Sequence, residues 1–119
     1  MRSVYLEKYD WDVSICDDVA PNNVRKLIPM LTDMGMSHRD IARILLLFDR
    51  PNRGFIYTDK EGRRSLIAIG WCTSWKQEIN TLSHEIFHLA EHICKGCDMP
   101  TDGEPPAYVV GYLVDRLCD

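Results

Sequence analysis

At 119 residues, with 45% apolar and 27% charged side chains, the chain has the size and balance of one ordinary globular domain with room for a core. It contains no apolar run of about 18 residues, which excludes a transmembrane helix, and its formal net charge of −4 argues against a broad nucleic-acid footprint. Five cysteines, behind an N-terminus that reaches Glu7 too early for a secretory apolar stretch, point to reduced thiols in a cytoplasm.

Residues 4–7 and 11–16 read as short strands. Val24, Leu27, Ile28 and Leu31 repeat at helical spacing, with Asn22 or Asn23 as a cap and Gly35 as the stop. Pro29, inside this run, should kink or shorten the helix. Ser37 with Asp40 three residues on resembles a capping box, and Ile41, Ile44, Leu45 and Phe48 then give an amphipathic helix. Pro51-Asn52-Arg53-Gly54 is a turn. Arg50, Arg53, Lys60, Arg63 and Arg64 form a basic cluster, but Asp49, Asp59 and Glu61 interleave with it, as in a solvated turn.

Residues 55–58 and 64–71 read as strands joined by Asp59-Lys60-Glu61-Gly62. Leu66-Ile67-Ala68-Ile69 is apolar on both faces, which suits a covered strand. Ser74 with Gln77 is a second capping box, opening a long helix over about 75–94 that Lys95-Gly96 ends. Residues 106–117 read as a last, buried helix. The expected fold class is α+β: a small antiparallel or mixed sheet packed on one long helix, with three other helices.

The long helix carries His84-Glu85-Ile86-Phe87-His88, an H-E-x-x-H pattern. Positions i and i+4 lie one above the other on a helix, so both imidazoles can reach one metal ion. Glu85, about 100° round the helix from His84, can reach a water held by that metal. Shuffling a chain with this His and Glu content produces the pattern in roughly 0.5% of cases, so the motif is a strong pointer to a zinc hydrolase. The histidines fall opposite the helix's apolar stripe of Leu82, Ile86, Leu89, Ala90 and Ile93. A solvated face and a metal site at a cleft floor both predict that arrangement.

Catalytic zinc usually takes three protein ligands. Glu91 lies on the right face but about 10.5 Å along the axis from His84, too far for bonds of about 2 Å, and reads better as a solvated carboxylate or one that orients a ligand. His92 forms a rival pair with His88, without a Glu beside its first member. Glu104, 16 residues after His88, leaves enough chain to turn back, and Asp98 and Asp102 compete with it.

The order of strand, H-E-x-x-H helix, short loop and Glu-headed helix resembles the zincin metallopeptidases, more narrowly the small gluzincin-like peptidases of bacteria and prophages. The resemblance spans roughly residues 64–113, and its specific part is the motif together with Glu-x-x-Ala-Tyr-x-x-Gly at 104–111. It implies a single zincin-like domain over 1–119 that hydrolyses the amide bonds of a peptide or protein substrate. His84, His88 and Glu104 would be zinc ligands, and Glu85 general base and proton shuttle. It also implies an edge strand beside the cleft that pairs with substrate, for which Ser65–Gly70 is placed. The family's Glu sits within a helix, whereas Pro105 and Pro106 should leave Glu104 extended, just ahead of one.

Tyr108 and Tyr112 share a helix face and are candidates to donate to the oxyanion, Tyr108 foremost, though core packing suits either. Cys94 and Cys97 form C-x-x-C, but the other cysteines are too scattered to complete a structural zinc site. Two further functions compete. One is a metal-holding fold without turnover. The other is a DNA-binding regulator, because Met36–Leu45 resembles the first helix of a helix-turn-helix, although no recognition helix follows.

Overall fold

The computed structural model describes residues 1–118. Four strands and four helices follow one another as β1 (Arg2–Leu6), β2 (Trp11–Val19), α1 (Leu27–Asp33), α2 (His38–Leu47), β3 (Gly54–Asp59), β4 (Arg64–Gly70), α3 (Trp75–Gly96) and α4 (Glu104–Leu117). The class is α+β, with one mixed sheet in the order β1-β2-β4-β3. β1 pairs antiparallel with β2, β2 parallel with β4, and β3 antiparallel with β4. The parallel pair is allowed by the long crossover through α1 and α2.

Period-two alternation on β4 builds both cores. Ile67 and Ile69 point into a cluster with Trp11, Val13 and Ile15 from β2, Ile86, Leu89 and Ile93 from α3, and Val109 and Leu113 from α4. Leu66 and Ala68 point into a second cluster with Leu27 and Leu31 of α1, Ile41 of α2 and Phe48. A strand covered on both faces must be apolar at every position, which is why this tetrapeptide lacks polar alternation.

Several local expectations change. α1 is only seven residues long, and a 3₁₀ turn over Val24–Lys26 precedes it. Pro29 is its third residue, in a first turn whose N–H groups have no partner inside the helix, as suits a shortened helix. Neither asparagine caps α1: Lys26 is the N-cap, and Asn23 Oδ1 accepts instead from the Ala20 N–H at 2.8 Å. Gly35 (φ 92°) does stop the helix. The Gly35 N–H donates to Thr32 O and the Met36 N–H to Leu31 O, the two-bond pattern that closes a left-handed helix end. Ser37 and Ser74 cap α2 and α3, accepting from the Asp40 and Gln77 N–H groups. After α2 the chain enters β3, not a second recognition-type helix.

Two corrections bear on function. β4, which contains Ser65–Gly70, lies inside the sheet between β2 and β3, and the free edge beside α3 belongs to β3. Helix α4 begins at Glu104, with Pro105 and Pro106 in a first turn that tolerates the missing N–H groups, so Glu104 is not extended chain ahead of the helix.

Candidate metal centre

Helix α3 is capped, long and two-sided. Thr81, Glu85 and Leu89 fall within about 80° of one another on the side facing the sheet, and Leu82 and Ile86 turn towards α4. His84 and His88 project from the remaining side, His84 exposed and His88 half-buried. Their Nε2 atoms are 3.1 Å apart, and the rings meet edge to face with centroids at 4.7 Å. Two nitrogens bound tetrahedrally to one zinc at about 2.0–2.1 Å lie about 3.3 Å from each other, so the pair has close to the spacing a shared ion requires.

The tautomer of His88 also suits a ligand. Its Nδ1 lies 3.2 Å from Glu91 Oε1. An ionised carboxylate only accepts, so Nδ1 carries the hydrogen; in the neutral ring Nε2 then keeps a lone pair, onto which the His84 Nε2–H can donate. Carboxylate partners of this kind orient metal-binding imidazoles and raise their basicity. Glu91 therefore acts on the site through His88, as its distance from His84 suggested.

Glu85 is buried and lines the same cavity as His84. It is 4% exposed, and its Oε2 has no hydrogen-bond partner among the described residues. Burial pushes its carboxyl up from the ordinary range, while His84 and His88 pull it back. An unsatisfied buried oxygen costs about 1–3 kcal/mol and is rare in native proteins, and where one persists a reactive role is a leading explanation. Gly54, first residue of β3, presses on this carboxylate. A Cβ there would stand 3.0 Å from Glu85 Cγ and 2.7 Å from Thr81 Cγ2. A cavity of about 270 Å³ opens at the same point, lined by Asn52, Arg53, Gly54, Asn80, Thr81, His84 and Glu85.

Further along α3, His92 is tied to the sheet. The Trp11 indole N–H donates to Ser65 Oγ at 3.0 Å, Ser65 Oγ lies 2.7 Å from Thr58 Oγ1, and Thr58 Oγ1 lies 2.7 Å from His92 Nδ1. Indole can only donate, so a chain in which each hydroxyl donates onward ends on an Nδ1 lone pair. Burial accordingly lowers the pKa of His92. The network fastens β3 to α3, and His92 belongs to it, not to the His84–His88 pair.

The other predicted residues lie elsewhere. α4 packs against the face of α3 that carries Ile79, Leu82 and Ile86, opposite the histidines, and runs antiparallel to it. Its first turn stands near the far end of α3, where Pro105 and Tyr108 line a separate hollow of about 660 Å³ with Cys97 and Met99. From His88 to Gly96 is already about 12 Å along the helix axis, so Glu104, at the head of α4, is not brought to the imidazoles. Among the described residues no group of three His, Cys, Asp or Glu side chains could hold a metal ion, which applies to Asp98 and Asp102 as well. Tyr108 is 70% exposed and shares no lining residue with the cavity beside His84. Tyr112 packs edge to face on Tyr9 at 5.3 Å, a core contact. Cys94 and Cys97 are free thiols, Cys94 fully buried.

Thr81, Gly54, Arg53 and Asn80 join the site without any motif that marks them in the sequence. Asn80 lies one turn before His84 on the same face, which spacing could have flagged; the loop residues come from tertiary packing. No family model, no curated protein and no solved structure matches the chain.

Proposed function

We propose that the chain is a zinc-dependent peptidase in which His84 and His88 are the protein ligands and Glu85 the general base. The observation that carries this reading is the 3.1 Å approach of two Nε2 atoms on the helical turn that also carries a buried carboxylate with an unpartnered oxygen. When bound, zinc would supply Lewis-acid polarisation of a carbonyl and lower the pKa of water towards about 7.

The chain's own groups account for the rest. Glu91 holds the His88 ring by its Nδ1–H, leaving Nε2 free to coordinate. Glu85 accepts a proton from the attacking water and later delivers it to the leaving amine. A carboxyl whose pKa is raised by burial is suited to both halves of that shuttle. The free edge of β3, whose first residue touches Glu85, offers backbone donors and acceptors to an extended peptide.

Two protein ligands are one fewer than catalytic zinc usually has, so affinity below that of a three-ligand site is expected. That shortfall favours a second reading, a metal-holding module without turnover. Metal analysis and a peptide assay on the same preparations distinguish them. Wild-type protein should bind zinc and cleave, Glu85→Gln should keep zinc and lose most activity, and His84→Ala should lose both. Protein that takes up no zinc would end both readings, and zinc uptake without cleavage of any peptide would leave the second.

A further inference from the structure

We infer that Arg53 makes the cavity beside His84 selective for substrates bearing a carboxylate next to the bond that is cut. The word substrate rests on the peptidase reading; the carboxylate preference rests on the loop before β3.

That loop is held with unusual care. Asn52 sits in the left-handed region, at φ 63°, which Asn tolerates better than other residues with a side chain. Its N–H donates to Trp71 O at 2.9 Å, its Oδ1 accepts from the Thr73 N–H at 2.9 Å, and its Nδ2 donates to Thr73 Oγ1 at 3.1 Å. Arg53 O accepts from the Gly70 N–H at 2.7 Å. Gly54 then lies against Glu85 and Thr81 with no room for a Cβ. The backbone is thus fixed on both sides of Arg53, whose Cα is about 3.8 Å from that of Gly54.

The side chain contrasts with its backbone. Arg53 lines the cavity but takes part in none of the ion pairs among the described residues, all of which involve Arg43, Arg64 or His88. It is the only permanently cationic group in a lining otherwise made of Asn52, Gly54, Asn80, Thr81, His84 and Glu85. No large apolar side chain contributes, so the cavity favours a polar occupant. A guanidinium presents a planar fork of N–H donors that matches a carboxylate, and the Asn80 amide can add another donor. At about 270 Å³ the space takes a single side chain or chain end. The carboxylate is therefore that of an Asp or Glu flanking the cut bond, or of the peptide's own C-terminus.

Zinc-loaded Glu85→Gln protein, titrated by NMR with three blocked dipeptides, tests this. N-acetyl-Ala-Ala carries a terminal carboxylate, N-acetyl-Ala-Asp-amide a side-chain carboxylate, and N-acetyl-Ala-Asn-amide neither. At least one acid should bind about tenfold tighter than the Asn peptide, an advantage that the further change Arg53→Gln removes; which acid wins identifies the source. Repeating the titration on metal-stripped protein separates the two readings. An Arg53-dependent preference that persists without zinc upholds the carboxylate site even if the chain never cuts a peptide. Equal binding of all three peptides, or a preference that survives Arg53→Gln, overturns it.

Discussion

Gly54→Ala is the most direct probe of how β3 shapes the site. The added methyl would stand 2.7 Å from Thr81 Cγ2, 3.0 Å from Glu85 Cγ and 3.3 Å from Glu85 Cδ. Carbon atoms pack at about 3.5–4.0 Å, so the nearest contact is short by about 0.8 Å or more. Gly54 is not among the positive-φ residues, so the penalty is steric and owes nothing to backbone conformation. Thr81 is β-branched with a stiff χ1, and Glu85 is 4% exposed, so neither neighbour moves aside cheaply. Overpacking of this kind costs about 1–3 kcal/mol, which for a domain of this size lowers Tm by about 8 °C at the middle of that range. Thermal melting of metal-free protein reads the effect. Thr81→Ser removes the Cγ2 that makes the shortest contact, so the double variant should recover part of the loss, whereas Gly111→Ala, with nothing within 4 Å, should be stabilising by about 0.5–1 kcal/mol. A Gly54→Ala protein that melts with wild type would refute the close approach of β3 to Glu85, and with it the shape assigned to the cavity.

Glu91→Ala removes the acceptor from His88 Nδ1, and zinc affinity measured by competition with a chelating dye should fall about 10–100-fold while the fold persists. Glu104→Gln should leave zinc affinity unchanged; a large loss would mean that α4 reaches the imidazoles after all. Glu85 gives a pH signature. Its folded pKa lies above the unfolded value, so the folded state binds the extra proton, and stability is fully present below the ordinary carboxylate pKa and declines as pH rises from there through the folded value. Denaturant melts of metal-free wild type should show that decline and Glu85→Gln should lack it; parallel pH curves for the two proteins would contradict the burial of an ionisable Glu85.

Local chemistry made much of this architecture legible in advance. Serine caps and the doubly apolar tetrapeptide of β4 each act within a few residues, and the elements they mark are present, while the turn expected at 51–54 is a bend over 50–52 that leads into β3 at Gly54. The i, i+4 spacing of His84 and His88 is equally local, and their rings do meet. Strand order is another matter. That β3 and not β4 is the free edge depends on β2 pairing parallel to β4 across a crossover of two helices, which no short window contains. Pro29 goes with a shortened helix: a 3₁₀ turn moves the start of α1 to Leu27, which puts the proline in its first turn. Gly54, which sets the distance between sheet and motif, looks in sequence like one more turn glycine.

The misplacement of Glu104 has a physical cause that the apolar pattern already contained. An amphipathic helix buries its apolar stripe, and the stripe of α3 lies across the helix from the histidines. A following helix that packs on that stripe, as α4 does through Val110 and Val114, travels down the side away from the metal-binding pair. Sixteen residues give enough length to turn back, but length does not choose the side; burial does. The groups that reach the histidine side come instead from β3 and the loop before it, which pack beside the motif with Gly54 against Glu85 and Thr58 against His92. Any partner that completes the coordination or grips the substrate should therefore be sought on that loop and strand, where Arg53 and Asn52 line the cavity that Glu85 closes.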